Sequence, residues 1–80
     1  MGDKLITIRG IVIPAAWDEK GKVVAAALST HTEDEYLIDP DYKGKELLHH
    51  IQEEVEASGV ARKHNGKKTI TIRKYSLKRS

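Results

Sequence analysis

Eight lysines and arginines lie between residues 62 and 79, with no acidic residue among them. A run of cations this dense suits one chemistry, the grip of a polyanion, because each ammonium or guanidinium that meets a phosphate releases counterions. Arg62, Lys63, His64, Lys67, Lys68 and Arg73 are the candidates for that role. Their natural complement is a flat ring on which bases stack, worth about 1–3 kcal/mol per base. The chain offers few such rings: one tryptophan, three tyrosines and no phenylalanine. Trp17, with Lys20 and Lys22 close after it, and Tyr36 complete the candidate set. Blander roles compete with these. Trp17 would serve equally to plug a core that lacks phenylalanine, and lysine-rich loops commonly only discourage sheet pairing. The acidic run Glu33, Asp34 and Glu35 would repel phosphate wherever it came near.

Other chemistries find little support. Residues 39–44, Asp-Pro-Asp-Tyr-Lys-Gly, imitate the opening of a calcium loop with carboxylates at positions one and three and glycine at six. Position five is Lys43 and position twelve is His50, where oxygen ligands are required. The segment reads as a turn that starts a helix. His49 and His50 diverge by roughly 100° on a helix and cannot chelate one metal together. No phosphate-binding loop, dinucleotide fingerprint or nucleophile–base spacing is present. The expectation is a protein that is not an enzyme, with no metal and no cofactor.

Eighty residues suggest a single domain spanning residues 1–80, with an ordered core at about 4–77 and a frayed tail at 78–80. Without cysteine or phenylalanine, its core must come from Ile, Val, Leu and Ala. The apolar runs at 11–13 and 23–28 are far too short to span a bilayer, and the start lacks the pattern of a signal peptide. Met1-Gly2 hints at myristoylation, but Ile6 stands where that motif needs Ser or Thr. These features point to a soluble, cytoplasmic protein without membrane contact. The net charge of +2 hides a split. Residues 1–40 hold four basic and seven acidic groups, whereas residues 41–80 hold ten basic and five acidic.

The candidates need elements to position them. Asn65-Gly66 tolerates the positive φ angles of a two-residue type I′ hairpin. Thr69-Ile70-Thr71-Ile72-Arg73 after it alternates as a half-buried strand does. Residues 5–13 predict a first strand, with a one-step slip of the apolar phase at Gly10, from Ile6 and Ile8 to Ile11 and Ile13. Pro14 ends that ladder or confines it to an edge, and residues 15–22 read as a loop. Residues 23–30 predict a second strand, whose alanines would admit close approach, and residues 36–38 a third. Leu47, Leu48 and Ile51 share one face of a helix over residues 45–52. Either the helix continues to Gly59, or Val55, Ala57, Gly59 and Ala61 point inward from a fourth strand; the hairpin needs a partner arm, which favours the strand.

The predicted class is all-β with one short helix: three strands, the helix, then two strands. This order resembles the OB fold, a five-stranded Greek-key barrel with a helix between its third and fourth strands. The chain is also similar to small stand-alone bacterial OB-fold proteins. The likeness rests on Ile8-Arg9-Gly10-Ile11-Val12, on Val55-Glu56-Ala57-Ser58-Gly59-Val60, and on the run from Gly66 to Tyr75. The resemblance implies a ligand lying across strands two and three, flanked by the loops that carry Trp17 and the basic residues. The leading expectation is a non-enzymatic module binding single-stranded DNA or RNA weakly. The alternative is a protein-interaction or accessory domain using sheet edges or the surface of Ala25, Ala26 and Ala27. A site for a small anion or oligosaccharide on the same face is not separable by sequence. The expected state is a monomer or weak dimer.

Overall fold

Gly10 is where the longest strand turns from one neighbour to the next. In a computed structural model that describes residues 4–78, β1 (Lys4–Trp17) pairs with β4 (Glu54–His64) as far as Ile11 and with β2 (Val23–Thr30) from Gly10 onward. Gly10 thus faces Val55 on one side and Thr30 on the other. A β-carbon there would overlap the backbone carbonyl of Ser29, so only glycine allows the two strands to close at this corner.

The remaining strands, β3 (Glu35–Ile38) and β5 (Lys67–Leu77), complete a closed five-stranded barrel in the order β1-β2-β3-β5-β4. All pairs are antiparallel except β3 with β5, which meet through only Leu37↔Thr69 and Ile38↔Ile70. The predicted β-rich class and the order of elements are therefore observed. Val12, Leu28, Ile38, Leu47, Val55, Ala57, Ile70 and Ile72 fill the interior, and among the described residues no buried side chain is polar or charged. Among the described residues, no helix is long and apolar enough to cross a membrane.

Several boundaries differ from expectation. The apolar phase does not slip at Gly10: Ile6, Ile8, Gly10 and Val12 face inward in unbroken alternation, while Ile11 is exposed. The slip occurs instead in β5. Lys74 opposes Ser58 and Ile72 opposes Gly59, so Arg73 is the extra residue of a bulge. Inward positions change from Ile70 and Ile72 to Tyr75 and Leu77.

Pro14 does not end the ladder. It pairs with Ala26, and the strand continues through irregular register to Trp17, where a loop was expected. The neighbouring bonds explain why. The Val12 N–H donates to Glu53 and its carbonyl accepts from Gln52, so both point away from β2. Two residues on, the absent N–H of Pro14 points the same way, beyond the reach of β4.

The helix starts and ends earlier than predicted. It comprises α1 (Tyr42–Glu46) followed by a 3₁₀ segment, Leu47–His50. Asp41 caps it by accepting from the Gly44 N–H at 2.9 Å. Of the expected tail, Lys78 is held by its N–H on the Glu54 carbonyl, and residues 79 and 80 lie outside the described residues, as do Met1 and Gly2.

Candidate binding face

The cations at 62–68 sit on a projecting two-stranded ribbon. β1 begins its pairing with β4 at Lys4↔Ala61, and β3 reaches β5 at Leu37↔Thr69. Beyond those points, among the described residues, β4 and β5 have only each other, out to His64↔Lys67. The tip is a two-residue turn with Asn65 at φ 52° and Gly66 at φ 79°, the positive pair that a type I′ hairpin requires.

The cations on this ribbon are not equivalent. Lys68 donates to the Asp34 carboxylate at 2.7 Å and lies over the Tyr36 ring. That hydrogen bond, with a second from the Thr32 hydroxyl, holds the Asp34 carboxyl below its ordinary range, and it raises Lys68 in turn. Arg62 donates to the Thr71 hydroxyl at 3.0 Å and stands 4.0 Å from Asp39. Lys63 and Lys67 are exposed and carry no ion pair among the described residues. His64 is placed by its backbone alone, opposite Lys67.

Beside the ribbon lies a groove of about 610 Å³. Its floor is a row of outward residues in direct register, Ile13 on β1, Ala27 on β2 and Leu37 on β3. One wall is Gly66, Lys67 and Lys68; another is Glu33, Asp34 and Glu35. The acidic run therefore does come near the basic one, and the groove carries both signs of charge. An apolar floor with charged rims can hold an extended chain, but nothing on the floor offers a ring for stacking.

The other predicted residues scatter. Trp17 is 56 % exposed, so it does not plug the core. It lies two residues beyond Ala15 on the groove rim, about 7 Å along an extended strand. Lys20 and Lys22 follow on the exposed β1–β2 turn, where both backbone N–H groups donate to Asp18 at 2.9 Å. Tyr36 points inward and packs against the core, so it is not a stacking platform. Arg73 sits at the β5 bulge and does not line the groove. The structure thus joins Arg62, Lys63, Lys67 and Lys68, sets Trp17 beyond the groove rim, turns the Tyr36 ring inward beneath Lys68, and leaves Arg73 apart at the bulge.

Ile13 and Leu37 are the groove residues that sequence reasoning missed; Asp34 belongs to the expected acidic run, and of the expected alanine surface Ala27 lines the groove while Ala26 is core. Ile13 was assigned inward with the expected phase slip, and a strand as short as β3 shows too few alternations to place Leu37. No protein-family model, curated protein or solved structure matches this chain.

Proposed function

We propose that this domain is a non-enzymatic binding module that takes single-stranded nucleic acid, weakly and without sequence preference, on the β4–β5 ribbon. One observation carries the reading: among the described residues the ribbon extends past its neighbours, and both of its strands present lysines without an ion pair there, Lys63 and Lys67, at the tip. The strand order and the helix between β3 and β4 are compatible with an OB-type barrel, which supports a ligand running across β2 and β3 between the ribbon and the Trp17 end. Glu33 and Glu35 limit how far phosphates enter the groove, which keeps the predicted affinity low.

The test is a titration of a labelled oligothymidylate at about 50 mM and about 200 mM salt. Binding should weaken as salt rises. Lys63→Glu with Lys67→Glu should leave the fold intact and reduce the slope of log affinity against log salt by about 1.4, roughly 0.7 per lost contact. Absence of binding at low salt, or binding without a salt slope, would overturn the proposal.

A second reading, a protein-accessory domain, draws on the groove floor, where Leu37 stays 40 % exposed beside Ala27 and Ile13. Sedimentation at several concentrations separates the two, since self-association or a stable protein complex centred on Leu37 would favour the second.

A further inference from the structure

A second groove lies on the other side of β2, and none of its residues belongs to the ribbon or to the first groove. It opens where β3 parts from β2. The β2–β3 register ends at Ala27↔Leu37, and if continued it would set Pro40 opposite Val24. Proline has no N–H to extend a ladder, and the chain leaves there for Asp41 and α1. Among the described residues, the edge of β2 at Val23, Val24 and Ala25 thus has no strand beside it, only Pro40, Gly44, Lys45 and Leu48 near its Val24–Ala25 part.

The wedge between that edge and the 3₁₀ segment has a volume of about 480 Å³. Val24, Leu48 and Ile51 form its apolar wall. The β1–β2 register passes over Val24 between Ala16↔Ala25 and Trp17↔Val23, and at this irregularity its apolar side chain is left 46 % exposed. Every ionisable residue in the lining is basic: Lys22, Lys45 and His49. The nearby carboxylates are engaged, Asp18 on the Lys20 and Lys22 N–H groups, Asp41 on the Gly44 N–H and Glu46 on the Tyr75 hydroxyl.

We infer that this groove docks an extended acidic peptide segment of a partner protein by strand addition to β2. An open edge supplies main-chain hydrogen bonds, alternate apolar side chains enter the Val24–Leu48–Ile51 wall, and carboxylates meet Lys22 and Lys45. Charge complementarity selects the acidic peptide over a basic one.

The test uses ¹⁵N-labelled protein titrated with a capped heptapeptide of alternating valine and glutamate, and with its valine–lysine counterpart. The acidic peptide should shift the amides of Val23, Val24 and Ala25 and slow hydrogen exchange at whichever of them faces the free edge. Lys22→Glu with Lys45→Glu, checked for a native spectrum, should weaken the acidic peptide roughly tenfold and favour the basic one. Equal binding of both peptides, no shift at these amides, or shifts confined to Leu37 and Lys67 would overturn the inference. Laurate shifting the same amides where the peptide does not would also overturn it, making the groove a site for small amphiphiles.

Discussion

Lys68 bonds Asp34 across 2.7 Å while its ammonium stands 5.6 Å from the centre of the Tyr36 ring. The base of the ribbon is thereby fastened to the β2–β3 turn, and one cation of the basic run is already satisfied. Asp34→Asn should release it. At neutral pH and low salt the variant should bind oligonucleotide about threefold to tenfold more tightly, because a cation is freed and a carboxylate removed. Equal affinity in the same titration would show that Lys68 takes no part.

The same pair sets a pH dependence. The Asp34 carboxyl is depressed in the fold, so its stabilising contribution is present above the ordinary carboxylate value of about 3.9 and is lost as pH falls through its lower folded value. Lys68 is raised, so its share persists through neutral pH and is lost only at strongly alkaline pH, as its raised folded value is passed. Thermal unfolding from pH 7 to pH 2 should therefore show a smaller acid-induced fall in Tm for Asp34→Asn than for the parent chain.

Gly66→Val should cost about 1–2 kcal/mol through backbone strain, since position 66 holds φ 79°. Urea unfolding with an unchanged slope checks this. A neutral result would mean that the turn readily adopts another geometry.

Gly10→Ala should cost more, about 2–4 kcal/mol, because the new methyl group meets the fixed carbonyl of Ser29. Against a total stability of about 4–12 kcal/mol for a domain this size, the variant should still fold at room temperature but with a clearly lower urea midpoint and Tm, visible by circular dichroism.

Trp17→Ala should change stability by no more than about 0.5 kcal/mol, since the indole is 56 % exposed. Acrylamide should quench its fluorescence readily in the free protein, and less when oligonucleotide occupies the groove.

The hairpin was legible in the sequence because two local signals agree, the Asn65-Gly66 turn and the alternation of Ile70 and Ile72. The bulge at Arg73 escaped the sequence reading, which sets the slip at Gly10 and sees only regular alternation over residues 69–73. Gly10 misled because both faces of β1 are apolar there: Val12 is core, while Ile11 and Ile13 face outward, so parity carries no information. Of the two roles read for Pro14 the edge is the one found, because β4 ends its pairing at Ile11, a boundary no local pattern reveals. The cations of the site were plain. Their meeting with Asp34 was not, since 34 residues separate it from Lys68.

Closure of the barrel along β3 and β5 rests on two residue pairs, flanked by the Lys68–Asp34 bond and by the Thr71 hydroxyl on Asp39 at 2.7 Å. By contrast, β4 and β5 are paired along most of their length. Local opening should begin at this seam, with β3 parting from β5 while the β1–β4–β5 sheet stays intact. Acid or high salt, which loosens the Lys68–Asp34 clasp, would then raise the fraction of molecules open along β3 before it changes the stability of the whole domain.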